Sequence, residues 1–432
     1  MKLNQKILPS PFELKNGKLF CESLEIDELA SEFGTPLFVY SERSISEAFL
    51  KIKNSVNRWP VNICYAVKAN PTLGIIDLLG KLGSGFDVVS GGELARVLKV
   101  VKKPEKIVFS GVGKSEEELE YALRSNIFCI NVESISELNL LDKISKRNNL
   151  YAPVSIRINP DIDPKTHPYI STGLRDNKFG LSLSQAREAY KIASKLNNLK
   201  IIGVDCHIGS QITEINPYLE STEKLLNFVA SLSELDKTDF HIDLGGGLGI
   251  CYQDEELPSI HNFFGSILNL IDNWSKKNSC EMPNIIFELG RSIVGPSGLL
   301  ICKVLALKSG ESTNDKNFIV VDAAMNDLMR PSLYGAYHEI FPITNFEKSN
   351  SDTSWDVVGP ICETGDWLGK NRNIQTKEGE KLAIASAGAY GSSMASNYNS
   401  RTRPAEILIT KSGSVRLIKS RETFDDLIRK EI

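Results

Sequence analysis

The chain has 432 residues, of which 24% are charged and 41% hydrophobic, and its formal net charge is -4. These are ordinary globular values, and because there is no run of basic residues, nucleic acid and anionic membrane surfaces are not expected partners. The length exceeds that of one ordinary core, so we expect two domains, one of which can be a large barrel. The first residues lack the apolar core of a signal peptide and no run of 18 apolar residues occurs, so we expect a cytoplasmic protein.

Between residues 41 and 298 the sequence alternates short β-branched runs with amphipathic stretches of helical spacing. This alternation predicts parallel strands joined by right-handed crossovers. Eight strands over this length match a closed (β/α)8 TIM barrel, and the alternative is an open doubly wound sheet. The predicted strands are "VNICYAVKA", "GFDVVS", "KIVFSG", "FCINVES", "VSIRINP", "IIGVDCHIGS", "HIDLGGG" and "NIIFELGR".

From residue 299 onward, strands interrupted by Gly, Asp and Ser follow one another with little helix between them. This predicts a second, mostly β domain made of residues 1–40 and 299–432, in which "KSGSV" is a hairpin turn and the N-terminal "KLFCESLEI" is a candidate strand. The eight cysteines are scattered singly without a CxxC pair. That usage indicates reduced thiols, packed in the core in all cases but Cys362, rather than disulfides or a metal site.

Lys68, in "YAVKAN", ends the first predicted barrel strand and is followed by the turn signal Asn70-Pro71. Because a lysine is rarely buried without a partner, Lys68 either extends its amine out of the barrel end or is covalently occupied. Active sites of such barrels are built at the carboxyl ends of the strands. Four other polar segments end predicted strands: Asp87–Ser90 the second, His207–Ser210 the sixth, Gly245–Gly249 the seventh, and Glu288–Arg291 the eighth.

These rim residues together favour one cofactor. Pyridoxal phosphate needs a lysine for its Schiff base, an anion site for its phosphate and an acidic partner for its pyridinium nitrogen. Lys68, Gly245–Gly249 and Glu288 offer these three features, since backbone N–H groups without side chains can approach an anion closely. His207 offers a flat ring for stacking. We therefore interpret Lys68 as the lysine that carries pyridoxal phosphate.

The motifs "YAVKAN", "SGFDVVSGGELARV", "HIGSQ", "DLGGGLG", "ELGR", "LMRPSLYGAYHEI", "VVGPICETGDWL" and "GAYGSSMASNYNSRTRPAE" together resemble the diaminopimelate decarboxylases. That family belongs to the alanine-racemase-like class of pyridoxal phosphate enzymes, and the resemblance runs from "PLFVYS" to "RPAEIL". It implies a (β/α)8 barrel with a β domain and a homodimer with active sites at the subunit interface. The implied reaction is decarboxylation of meso-2,6-diaminopimelate to L-lysine and carbon dioxide, the last step of lysine biosynthesis.

The resemblance also implies roles for single residues. Lys68 would form the Schiff base, His207 would stack on the ring and Glu288 would bind the pyridine nitrogen. The phosphate would be held by Ser210, Gly245, Gly246, Gly247, the Glu288, Leu289, Gly290 and Arg291 backbone, and Tyr390. The substrate would be bound by Arg291, Arg330, Tyr334, Tyr390 and Glu363, the last facing its distal ammonium group. Cys362, supplied by the second subunit, would donate the proton at Cα, with Lys68 as the alternative donor; no metal is implied.

Several readings stay open on the sequence alone. Relatives of this fold decarboxylate ornithine, arginine or carrier-bound amino acids, a racemase would need a second base, and a non-catalytic paralogue would bind and regulate a partner. The pairing of Arg291 with Arg330 favours a substrate with a second carboxylate. Residues 165–180 are predicted to form a mobile loop over the site. The other histidines, namely His167, His241, His261 and His338, are interpreted as structural.

Overall fold

The computed structural model describes residues 7–164, 167, 170, 172–174, 176–232, 240–312, 315–345 and 353–432. The chain divides into two compact units. One consists of Phe49–Gly249 and Glu256–Gly290, and the other of Met1–Ala48, Ile250–Glu255 and Arg291–Ile432. The domain limits predicted from the sequence, 41–298 and the remainder, stay a prediction, and so does the mobile loop at 165–180, which lies partly outside the described residues.

The strands of the described residues follow in chain order. They are β1 (Phe12–Lys15), β2 (Lys18–Cys21), β3 (Leu24–Glu25), β4 (Leu37–Ser41), β5 (Val61–Ala66), β6 (Gly85–Val88), β7 (Ile107–Phe109), β8 (Cys129–Val132), β9 (Ala152–Arg157), β10 (Leu199–Asp205), β11 (His241–Asp243), β12 (Asn284–Leu289), β13 (Gly298–Lys308), β14 (Phe318–Val321), β15 (Ile340–Pro342), β16 (Trp355–Val358), β17 (Trp367–Arg372), β18 (Lys381–Ile384), β19 (Ala405–Ile409) and β20 (Val415–Lys419).

The α-helices are α1 (Ile26–Phe33), α2 (Glu42–Ser55), α3 (Leu73–Lys81), α4 (Gly91–Val100), α5 (Glu116–Arg124), α6 (Ile135–Asn148), α7 (Leu183–Ala193), α8 (Asn216–Ala230), α9 (Ile260–Lys277), α10 (Arg291–Val294), α11 (Arg330–Tyr334) and α12 (Phe424–Ile428). Many of the helices that follow barrel strands have a serine at the N-cap position. Ser115 and Ser182 complete capping boxes with Glu118 and Gln185, which satisfies N–H groups that the helix itself cannot. None of the helices of the described residues is long and apolar enough to cross a membrane.

Strands β5 to β12 are parallel and form a closed barrel, in which β12 pairs with β5. All eight barrel strands predicted from the sequence are present in the predicted order, so the closed barrel is confirmed and the open sheet is not formed. The strands are buried almost throughout because helices follow most of them and cover the outer surface.

The inside of the barrel is layered along the strand direction. Cys64, Val108 and Ile286 form a buried apolar cluster. Two residues further along β12 lies Glu288, and two residues beyond Val108 lies Ser110, so these polar side chains project from the same strand faces as the apolar ones. The barrel is therefore apolar in its middle and polar towards the carboxyl ends of its strands.

The other unit is mostly β, as predicted. Nine strands form one sheet in the order β17-β16-β14-β13-β4-β19-β20, with β18 also paired to β13 and β15 paired to β18. The predicted hairpin at "KSGSV" is confirmed, since β19 and β20 are antiparallel neighbours. The N-terminal strand in this sheet is β4, however, whereas "KLFCESLEI" pairs within a separate small sheet, β1-β2-β3.

Candidate active site

Lys68 lies directly after β5, in the short 3-10 turn Val67–Ala69. The turn is fixed by Asn70, whose side-chain oxygen accepts a hydrogen bond from the backbone N–H of Thr72 at 3.1 Å. The Lys68 ammonium forms an ion pair with Asp87, which lies in β6. About 30% of the Lys68 side chain is exposed, whereas the Asp87 side chain is fully buried. The amine thus touches a buried anion and is open to a small molecule.

Three buried carboxyl groups lie together at the carboxyl ends of neighbouring strands. One carboxylate oxygen each of Asp205, Asp243 and Glu288 lies within 4.8 Å of the others. Burial, and next the neighbouring Asp243 carboxylate, raise the pKa of Glu288 well above its usual range. Burial likewise raises the pKa of Asp205, and it raises that of Asp243 to about 7. Burial and mutual repulsion therefore disfavour the charged form of each carboxyl group in this cluster.

Glu288 is oriented by a chain of hydrogen bonds across the barrel. The Ser110 hydroxyl donates to Glu288 Oε1 at 3.0 Å, and the Asn131 amide donates to the Ser110 oxygen at 3.0 Å. The Ser155 hydroxyl in turn donates to the Asn131 side-chain oxygen. Each of these side chains comes from a different strand or strand end, so the barrel itself holds the position of the carboxyl group.

Arg157 supplies positive charge beside the carboxyl cluster. Its guanidinium group lies 2.6 Å from Glu133 Oε1 and 3.6 Å from Asp205 Oδ2. Glu133 also accepts a hydrogen bond from the backbone N–H of Gly180 at 2.9 Å. Both partners of this ion pair are buried, so the pair is only weakly screened by solvent.

His207 and the glycine cluster lie on the same rim. The Gly246 N–H donates to His207 Nδ1 at 2.9 Å, and the Gly245 N–H donates to Asp243 Oδ1 at 2.9 Å. Burial, and then the charges of Arg157 and Lys68, lower the pKa of His207 well below its usual range, so the imidazole is neutral. Two N–H groups of the predicted phosphate cradle are thus engaged by side chains of the chain itself.

The glycines are required by close packing. A Cβ atom on Gly246 would lie 1.7 Å from the backbone oxygen of Glu288, and one on Gly247, which has a positive φ of 101°, would lie 2.1 Å from the backbone oxygen of Gly209. No side chain fits at either position. The segment after β11 therefore approaches the end of β12 and the segment after β10 backbone to backbone.

These residues fit pyridoxal phosphate. The Lys68 amine is accessible, and a buried carboxyl group that holds a proton lies on the same rim. The buried oxygens Asp87 Oδ1 and Asp243 Oδ2 have no hydrogen-bond partner among the described residues, which is the condition expected of groups that serve a bound molecule.

Two predicted arginines cluster with aromatic rings in the other unit. Arg291 and Arg330 are each about 4% exposed. Arg291 donates to the hydroxyl of Tyr252 at 2.7 Å, and Arg330 donates to Nε2 of His338 at 3.4 Å. Tyr390 lies beside this pair, with its ring centre 4.7 Å from the Arg291 guanidinium carbon.

Arg330 has the environment of an anion-binding group. Burial, and also the charge of Arg291, lower its pKa, and no carboxylate among the described residues forms an ion pair with it. The ring of Tyr334 lies 5.8 Å from its guanidinium carbon. A buried guanidinium without a counter-ion is costly, and a bound carboxylate would remove that cost.

The last two predicted site residues, Cys362 and Glu363, lie together on an exposed loop. The Cys362 N–H donates to the Asn399 side-chain oxygen at 2.9 Å, and the Tyr398 hydroxyl donates to Glu363. Cys362 is one of two exposed thiols among eight free cysteines. The other is Cys280, which lies in the connection after α9, so its predicted place in the core is wrong.

Comparison with known proteins identifies the class. The sequence profile "Pyridoxal-dependent decarboxylase, pyridoxal binding domain" matches residues 42–295, more than half of the chain. The chain is 50% identical over 414 residues to a diaminopimelate decarboxylase of Neisseria meningitidis serogroup B, covering 96% of this chain and 97% of that one.

Solved structures agree with these sequence comparisons. Diaminopimelate decarboxylase from Methanocaldococcus jannaschii superimposes with a TM-score of 0.90 at 42% identity, covering 98% of this chain and 97% of that one. The Helicobacter pylori enzyme complexed with L-lysine gives 0.87 at 44% identity, covering 94% and 99%. The chain belongs to the diaminopimelate decarboxylase family of pyridoxal-dependent decarboxylases.

Several residues of these clusters were not predicted as site residues from the sequence. Asp205, Asp243 and Arg157 lie in strands, and only knowledge of which strand face points inward could have selected them. Tyr252 and His338 are 86 positions apart in the sequence, yet their ring centres lie 5.0 Å apart. His338, interpreted from the sequence as structural, in fact contacts the predicted substrate residue Arg330.

Proposed function

We propose that this chain decarboxylates meso-2,6-diaminopimelate to L-lysine and carbon dioxide with Lys68, Glu288 and Arg330 in the central roles. The observation that carries the assignment is the ion-paired, accessible Lys68 amine on the same barrel rim as the buried carboxyl cluster of Glu288. Chemically, pyridoxal phosphate supplies, when bound, a sink for the electron pair left when carbon dioxide departs.

Lys68 would hold the cofactor and release it to the substrate amine. Asp87 accepts a hydrogen bond from the Lys68 amine and would hold it at the barrel rim. His207, held neutral, would lie against the cofactor ring, and it is kept in place by the Gly246 N–H.

Glu288 would face the pyridine nitrogen. Its raised pKa means that burial and the neighbouring carboxylate favour the protonated carboxyl group, and this proton would be shared with a basic ring nitrogen. The Ser110 hydroxyl fixes the direction in which the Glu288 oxygens point. The remaining predicted phosphate contacts, from Ser210, Gly247, Leu289, Gly290 and Tyr390, are proposed on the family resemblance alone.

Arg330, together with Arg291 and Tyr334, would bind a substrate carboxylate. The support is the buried Arg330 guanidinium group without an ion-pair partner among the described residues. Excluding water around this group strengthens a two-point contact with a carboxylate. A substrate without a second carboxylate would not use this feature.

We further propose a homodimer in which Cys362 and Glu363 of one subunit serve the other. The support is that both lie exposed on one loop in a single chain. Glu363 would face the distal ammonium group, and Cys362 would deliver the proton to Cα, with Lys68 as the alternative donor. A cytoplasmic location is proposed as well, because all eight cysteines are free thiols.

The test is release of carbon dioxide by the purified protein loaded with pyridoxal phosphate. It is offered meso-diaminopimelate, ornithine, arginine and lysine in parallel. We expect turnover of diaminopimelate alone, and no turnover by Lys68→Ala. Release from ornithine or arginine instead would contradict the role given to Arg330.

A further inference from the structure

A cavity of about 540 Å³ enters the barrel at the end where its strands begin. Its wall includes Val61 and Gly85, the first residues of β5 and β6, and Phe128, which directly precedes β8. Lys68 and Glu288 lie at the opposite ends of their strands, so the cavity is separate from the candidate active site. Its volume is within the range of small-molecule sites, roughly 300–1,000 Å³.

The inner end of this cavity is apolar. It is lined by Cys64, Val108 and Ile286, the same cluster that lies beneath the carboxyl layer of the barrel, with Phe128 packed against them. Burial raises the pKa of the Cys64 thiol well above its usual range, so the thiol stays neutral and behaves as a small apolar group. Trp59 adds an aromatic wall.

The mouth of the cavity is positively charged. The Lys53 ammonium donates to the backbone oxygen of Leu82 at 2.9 Å, and the Lys106 ammonium donates to that of Gly83 at 3.4 Å. The two charges thus converge on consecutive carbonyl groups of one turn. Glu105 also lines the cavity, but within the described part of the chain it forms no ion pair with either lysine.

We propose that this cavity binds a small amphiphilic monocarboxylate, with its apolar body against Cys64, Val108 and Ile286 and its carboxylate between Lys53 and Lys106. An apolar body gains roughly 25 cal/mol for each Å² removed from water. A zwitterionic amino acid would place a charge at the apolar inner end, where nothing could pair with it. The proposal therefore concerns a ligand of another class than the substrate, and it does not depend on the proposed function.

Decanoate is a suitable probe, and decanol is its uncharged counterpart. We expect calorimetry on the cofactor-loaded protein to show one decanoate per chain, and decanol to bind at least about tenfold more weakly because it lacks the charge. Trp59 fluorescence should change on binding, and in Trp59→Phe this response should vanish while the calorimetric stoichiometry stays the same. Absence of decanoate binding, or equal binding of decanol, would overturn the proposal.

Two matched double variants test whether the lysine charges at the mouth of the cavity bind the carboxylate. Lys53→Met with Lys106→Met should weaken decanoate binding about tenfold or more, whereas Lys51→Met with Lys103→Met changes the net charge equally at exposed positions outside the lining and should leave binding intact. Val61→Trp, at the half-buried start of β5, should block entry. If both double variants weakened decanoate binding equally, the cause would be general charge attraction, and the proposal would be contradicted. Retained decarboxylase activity shows that each variant is folded.

Discussion

Asp205, Asp243 and Glu288 cannot all be charged at once, because their oxygens lie within 4.8 Å of one another in a buried place. Arg157 compensates only part of this charge, since it is also bound to Glu133. In the proposed function, Glu288 faces the pyridine nitrogen of the cofactor, and a proton held by this cluster would be passed to that nitrogen. If Glu288 has the proposed role, Asp243 would be a positioning residue, because its neighbouring carboxylate raises the pKa of Glu288.

This proton retention should make stability depend on pH. A carboxyl group with a raised pKa in the folded chain stabilises it fully below the unfolded value, roughly 4, and loses that contribution as pH rises through the folded value, about 7 for Asp243. For the cofactor-free protein, we expect the free energy of unfolding in urea to fall between pH 5 and 8 by about 1 kcal/mol or more relative to the same change in Asp243→Asn.

Asp243→Asn keeps an oxygen for the Gly245 N–H but removes the titration, so it should flatten this slope. Infrared carboxyl bands above about 1,700 cm⁻¹ should weaken in the same variant, since one protonated acid is lost. Asp272→Asn, on the surface of α9, is the control and should change neither the pH dependence of stability nor the infrared carboxyl bands. A slope that is unchanged in Asp243→Asn would count against proton sharing at this position.

Arg330 should determine substrate affinity more than the chemical step. Arg330→Met should raise the KM for diaminopimelate about 100-fold, because a buried charge-assisted contact costs roughly 2–5 kcal/mol to remove, with a smaller effect on kcat. Steady-state kinetics measure this, with Arg416→Met on the exposed strand β20 as control. A fall in kcat with unchanged KM would instead mean that Arg330 acts in the chemical step and not in substrate binding.

At the scale of elements, the close approach of the segment after β11 to the end of β12 depends on Gly246. Gly246→Ala should destabilise the protein by more than about 4 kcal/mol or abolish folding, because the new Cβ would overlap the Glu288 backbone oxygen. Gly265→Ala, within α9, is the contrasting variant: a Cβ there meets nothing within 4 Å, so stability should rise by about 0.5–1 kcal/mol. Urea unfolding of both variants gives the comparison.

The elements themselves could be predicted from the sequence because their signals are local. β-branched runs and serine caps act within a few residues, and all eight barrel strands follow from them. The carboxyl cluster could not be predicted, since alternation does not reveal which face of a strand as short as β11, three residues, points inward. The contact between Tyr252 and His338 is fixed only by tertiary packing.

At the scale of the whole molecule, the proposed dimer predicts how much activity returns when two inactive variants are mixed. If Lys68 and Cys362 of one active site come from different subunits, Lys68→Ala and Cys362→Ala are each inactive but together can form a mixed dimer with one intact site. Random mixing makes half of the dimers mixed, so about 25% of the original activity should return.

Light scattering of the unmodified protein tests the dimer itself. Recovery of no activity from a mixture that has demonstrably exchanged subunits would contradict the shared site. A mixture of Lys68→Ala with Lys68→Met is the control, and it should stay inactive because no combination of these chains restores the lysine.

The place of β4 in the nine-stranded sheet has a consequence for synthesis. Leu37–Ser41 leaves the ribosome early, yet its two neighbours, β13 and β19, begin at Gly298 and Ala405. At roughly 5–20 residues per second, this apolar strand waits about 20–70 s for its last neighbour. Nascent chains stopped before Ala405 should therefore bind holdase chaperones through residues 37–41, and a ribosome-bound chain extended past Ile409 should be released from them.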